Sequence, residues 1–83
     1  MAVVARVDGI KIQFYHDEHP PTHFHAQFAE HEAMIGIDTL QVLNGYLPRP
    51  QLRKVVAWAR PRKPLLLEAW FACRADRNPG KIP

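Results

Sequence analysis

The sequence predicts an α+β fold: a small antiparallel β-meander of four to five strands packed against two C-terminal helices. Three observations predict it. Apolar and polar residues alternate with period two through the first half of the chain. The apolar spacing changes to i, i+3, i+4, i+7 after Pro48. Turn-forming pairs and prolines, above all Asp8-Gly9, Asn44-Gly45, Pro48, Pro61 and Pro64, punctuate the two regimes.

The elements follow in order. Residues 2–7 and 9–15 read as two strands joined at Asp8-Gly9, the strongest short hairpin signal present. In the second strand Ile10, Ile12 and Phe14 alternate with Lys11, Gln13 and Tyr15, so one face is buried. The stretch from Tyr15 to Pro21 is polar and stopped by two prolines, which cannot donate to a sheet ladder; it is a loop. Residues 22–29 alternate again, with Phe24, Ala26 and Phe28 on the core side and His23, His25 and Gln27 together on an open, polar side. Residues 33–37 give a further strand and 40–43 its return, after which Asn44-Gly45 turns the chain out of the sheet. Pro50 falls in the first turn of a helix whose stripe is Leu52, Val55, Val56 and Ala59. Pro61 and Pro64 separate it from a second helix over roughly 64–76, with Leu66, Leu67, Trp70, Phe71 and Cys73 as a broad apolar face.

Eighty-three residues make a single domain, since neither half could bury a core alone. Its sheet part spans 1–47, its two-helix part 48–77, and residues 78–83 read as a frayed tail. Hydrophobic residues make up 47% of the chain, which excludes a disordered segment despite eight prolines. Cys73 is the only cysteine, so no internal disulfide forms, and a reducing compartment fits. The N-terminus reaches Arg6 after a short apolar run, unlike a signal peptide, and no apolar stretch is long enough to span a membrane. A cytoplasmic location is expected.

The net charge of +3 is segregated. Residues 1–47 carry two basic and six acidic groups; residues 48–83 carry nine basic and two acidic ones. Arg49, Arg53, Lys54, Arg60, Arg62 and Lys63 cluster around Trp58, a footprint for phosphate groups or an acidic partner. The plainer reading of the same cluster is a solvated basic face. A proline turn between two helices also looks superficially like a helix-turn-helix, but the glycine-type turn and flanking helices of that unit are missing.

All five histidines lie between positions 16 and 31. Residues two apart on a strand project from one face about 6.5–7 Å apart, so His23 and His25 can ligate one divalent ion such as zinc, with His19 folding back as a third ligand. Asp17, Glu18, Glu30 and Glu32 offer carboxylates for a fourth position. The plainer reading is a polar strand face carrying metal-free imidazoles. Serine is absent from the chain, and Cys73 on an apolar helix face suits a core thiol better than a nucleophile. Imidazole as acid or base, with His19 or His23 beside Asp17, would serve a metal-independent ribonuclease.

Asp8-Gly9-Ile10, then Glu18-His19-Pro20-Pro21-Thr22-His23-Phe24-His25-Ala26, then Gly45-Tyr46-Leu47-Pro48 and two tryptophan-bearing segments around Trp58 and Trp70, together resemble a family of small bacterial proteins, domain of unknown function 4160. The resemblance covers about residues 6–77. Thr22 is inserted relative to the family's pattern, and Asp38-Thr39-Leu40 stands where relatives carry a Thr-Gly turn. The resemblance implies a component of a toxin–antitoxin-like two-gene module, with a partner protein encoded nearby and an operator or RNA as target. Two functions stay open. One is a small cytosolic binding protein contacting nucleic acid or an acidic partner through its basic helices. The other is a metal- or histidine-dependent nuclease or hydrolase using His19, His23 and His25. A further expectation is that the histidine cluster is a homo-oligomer seam or structural lock, since a small open sheet exposes edges that partners can cover, loosened by imidazole protonation near pH 6.

Overall fold

In the computed structural model, which describes residues 2–83, five strands run in chain order across one antiparallel sheet. They are β1 (Ala2–Val7), β2 (Ile10–Phe14), β3 (His23–Phe28), β4 (His31–Gly36) and β5 (Val42–Gly45). The first hairpin is tight because Asp8 and Gly9 both take positive φ, 49° and 81°, the geometry whose twist matches paired strands. The second hairpin turns at Ala29-Glu30, with Ala29 at φ 54°. No glycine or asparagine marks it, so the sequence expectation placed the β4 start two residues late.

A larger difference falls at β5. Asn44-Gly45 was expected to lead the chain out of the sheet, but both residues lie inside the strand, paired to Met34 and Ala33. Gly45 is required there for a different reason: its φ is 80° and a Cβ would collide with the Glu32 carbonyl. Close backbone approach and a turn ask for the same residue type.

Ile10, Ile12, Phe14, Phe24, Ile35 and Ile37 form the buried side of the sheet. Helix α1 (Arg49–Ala59) closes over it through Val55 and Ala59, with Leu52 and Val56 at the margin. Helix α2 (Lys63–Arg74) adds Leu66, Ala69, Trp70 and Cys73, a single i, i+3, i+4, i+7 stripe. Phe71, expected on that face, lies a step off it and is 58% exposed. The expected pair of separate helices is one joined helical run, because a 3₁₀ turn (Arg60–Arg62) links α1 to α2 without a gap. Pro61 and Pro64 occupy first-turn positions, where a missing N–H removes no helical bond, so they tighten the chain rather than break it. Asp76 ends α2 at φ 61°, with Arg77 N–H donating to the Ala72 carbonyl and Asp76 N–H to that of Cys73; this is the Schellman closure that ordinarily uses glycine.

The tail is fastened, not frayed. Ile82 is buried and its N–H donates to the Val4 carbonyl at 2.8 Å, while the Pro83 carbonyl accepts from Arg62 Nε at 2.6 Å. The apolar side chain of the penultimate residue, Ile82, supplies the anchor that the polar composition concealed. No helix among the described residues is long and apolar enough to cross a membrane.

Candidate functional site

The start of β3 carries the densest chemistry. His23 and His25 do share a side, with ring centres 5.2 Å apart. They are not on an open surface, however: His23 is 2% exposed and the His25 side chain 12%. The expectation that inward phenylalanines would leave both imidazoles in solvent fails because the Tyr15–Thr22 loop folds back over them. Its Glu18 carboxylate meets both rings, the Tyr15 ring packs edge-on to His25 at 4.4 Å, and Trp70 of α2 meets His23 at 4.8 Å.

Hydrogen bonding constrains the protons. The Pro21 carbonyl lies 2.7 Å from His23 Nδ1. A carbonyl only accepts, so Nδ1 carries a proton, and in the neutral ring Nε2 is the nitrogen left with a lone pair. That Nε2 points at Glu18 Oε2, 3.2 Å away, but off the direction of a hydrogen bond, and is fully buried without a hydrogen-bond partner. His25 touches carboxylates through both nitrogens: Nε2 contacts Glu18 Oε1 closely, and Nδ1 lies 3.1 Å from Glu32 Oε2. Glu32 is steadied by the Tyr15 hydroxyl, which donates to it at 3.0 Å and accepts from Gln13 Nε2 at 3.2 Å. Burial, and then this bond to Glu32, push the Tyr15 phenol above its ordinary range. Gln13, 1% exposed, keeps its own Oε1 without a partner.

Imidazole nitrogens and carboxylate oxygens thus converge on one spot. One atom each from Glu18, His23 and His25 lies within 4.8 Å of the other two, and ligands held tetrahedrally at zinc distances are roughly 3.4 Å apart. The donor set of two imidazoles and a carboxylate suits zinc or another divalent transition ion. His25 and Glu32 form part of the wall of a cavity of about 190 Å³ with Met34, Asn44 and Gly45; Glu18 and His23 do not line it.

Of the histidines expected to act, His23 and His25 are in this group and His19 is not: it is exposed on the loop, and Glu18, its neighbour, reaches the imidazoles instead. Asp17 is exposed and outside the group; Glu32 supports His25 from β4. Trp70, Tyr15 and Gln13 had no place in the sequence expectation, although the period-two alternation already put Gln13 and Tyr15 on the histidine side. A cavity of about 570 Å³, lined in part by His16, Cys73 and Asp76, includes none of the three converging residues. Burial raises the Cys73 thiol above its usual range, which leaves it a poor nucleophile.

The basic residues divide. Arg62 is committed to the Trp58 and Pro83 carbonyls, Lys63 to that of Asp38, and Lys54 pairs with Asp8 at 3.7 Å. Arg49, Arg53 and Arg60 are exposed and have no ion-pair partner among the described residues. At 100° per residue they fall within about 40° of one another around the helix.

Residues 9–71 match the family model described as Domain of unknown function (DUF4160), and the chain belongs to that family. No curated protein and no solved structure matches it.

Proposed function

We propose that the domain is a metal-dependent hydrolase acting on phosphodiesters, with Glu18, His23 and His25 holding one divalent ion. The observation that carries this reading is His23 Nε2: a buried ring nitrogen, oriented by the Pro21 carbonyl, without a hydrogen-bond partner among the described residues and facing a carboxylate. A neutral imidazole nitrogen and a carboxylate so placed repel unless a proton or a metal ion joins them, and a metal-bound histidine typically gives its other N–H to a backbone carbonyl or a carboxylate. His23 has the first kind of support and His25, through Glu32, the second. A divalent ion held by three protein ligands, with a fourth position left for water, would supply Lewis-acid and water-activating chemistry at neutral pH. Glu32 and Tyr15 hold the His25 ring in register, and Trp70 keeps water from His23.

The test is hydrolysis of bis(4-nitrophenyl) phosphate and of RNA by chelator-stripped protein reloaded with zinc, manganese or iron(II). Turnover is expected only after reloading. It should fall at least about a hundredfold in Glu18→Gln, His23→Gln and His25→Gln, since each change removes a ligand, and persist in His19→Gln. Turnover that ignores chelator, or that depends on His19 and not on Glu18, contradicts the assignment.

A second reading is favoured by the exposed arginine stripe. No acidic residue occurs from 39 to 67, while six basic ones do. The chain then acts as a cytosolic binding member of a toxin–antitoxin-like pair, its Arg49, Arg53 and Arg60 contacting nucleic acid or an acidic partner. Phosphate binding of this kind weakens steeply as salt rises.

A further inference from the structure

The two edges of the sheet are treated differently. Outside β1, the C-terminal tail covers the edge: Ile82 N–H donates to the Val4 carbonyl and Lys81 Nζ to that of Val3. Outside β5 nothing is paired among the described residues, and all four of its residues are exposed. Exposed sheet edges in stable proteins commonly carry lysine or proline to discourage pairing; Val42-Leu43-Asn44-Gly45 carries neither. Val42, Leu43 and the following Tyr46 are large, apolar and exposed. Beside them a cavity of about 340 Å³ is lined by Val42, Gly45, Tyr46, Leu47, Arg49 and Leu52: apolar walls and a single guanidinium.

We infer that β5 is a docking edge for an extended, acidic segment of a partner protein. The partner strand adds to the sheet beside β5, seats an apolar side chain in the cavity and turns carboxylates toward Arg49 and Arg53. Four residues provide few ladder bonds, so the edge is a weak template by itself; the cavity and the charge supply selectivity. Charge decides between occupants. A second copy would bring its own Arg49 and Arg53 against these and face like with like. Nucleic acid satisfies the arginines but neither pairs with a peptide edge nor fills an apolar cavity. The inference narrows the second reading above to its protein-partner form and is independent of the metal site.

The experiment is an NMR titration of the ¹⁵N-labelled full chain, with EDTA present, using four probes: a capped octapeptide of alternating valine and glutamate, its valine–lysine counterpart, the acidic peptide N-methylated at alternate amides, and a single-stranded RNA octamer. The acidic peptide should shift amides of residues 42–46 and 49–53, the lysine peptide should not bind, and N-methylation should weaken binding about tenfold or more by removing ladder donors. Arg49→Glu with Arg53→Glu, both on the surface, should weaken the acidic peptide about fivefold or more. Equal binding of the methylated and unmethylated peptides overturns the strand-addition mode. RNA shifting the arginine stripe while the acidic peptide leaves β5 unmoved overturns the inference and keeps the second reading in its nucleic-acid form. No response to any probe removes both. A concentration-dependent dimer with β5 amides protected makes the occupant a second copy and also overturns it.

Discussion

Single side chains decide the chemistry through what surrounds them. His23 sits between the Pro21 carbonyl, the Glu18 carboxylate and the Trp70 ring, so each of its ring nitrogens is oriented by a neighbour. Cys73 shows the opposite outcome. Enclosed on the core stripe of α2, its thiol is held above its ordinary range by burial. The folded protein should therefore react with a disulfide reagent at pH 8 at least about a hundredfold more slowly than the unfolded chain. Because the folded thiol holds its proton more tightly than the unfolded one, its contribution to stability is present below the ordinary thiol range and lost as pH rises through the folded value. Rapid, stoichiometric labelling of the native protein contradicts this. The sequence made His23 and His25 legible as a same-side pair, since period two dictates it. It could not choose among Asp17, Glu18, Glu30 and Glu32, because a loop has no period to fix which carboxylate turns inward.

At the scale of elements, backbone conformation separates two small residues of opposite effect. Ala29 holds φ 54° in an exposed two-residue turn, a region that costs an L-residue about 1–2 kcal/mol. Ala29→Gly removes that cost and adds some unfolded-state entropy, for a net gain of roughly 0.5–1 kcal/mol in urea unfolding. Gly45→Ala should lose several kcal/mol or shift β5 outright, since a Cβ meets the Glu32 carbonyl. Ala29→Gly destabilising, or Gly45→Ala neutral, contradicts the assigned turns. These positions also explain which elements could be read in advance. Asp8-Gly9 declared its hairpin because its residue types match a turn with both φ positive. The Ala29 turn declared nothing, and Gly45 declared a turn while serving a strand.

Across the whole molecule, a five-stranded sheet is sealed on one edge by its own tail and left open on the other. Removing residues 79–83 takes away buried Ile82 and the Val4 pairing. The truncated chain should lose about 2–4 kcal/mol and, with β1 newly exposed, associate at high concentration. Sedimentation and thermal melts report both effects, and an unchanged melting midpoint contradicts the tail's role. The segregated charge was legible at this scale from the sequence, but its division was not: contacts to backbone carbonyls occupy Arg62 and Lys63, while Arg49, Arg53 and Arg60 have no ion-pair partner among the described residues.

The proposed metal site is tested most directly by binding stoichiometry and its effect on folding. Full-length protein dialysed against zinc, or against cobalt(II) for its visible absorption, should bind one equivalent per chain. At a hundredfold excess over Kd the ion stabilises the fold by about 2.7 kcal/mol, raising the melting midpoint by roughly 10–20 °C for a domain of this size. Glu18→Gln, His23→Gln and His25→Gln should each abolish the gain. A chain that stays metal-free after dialysis, melts at one temperature in zinc and in chelator, and gives cobalt no ligand-field band contradicts the account.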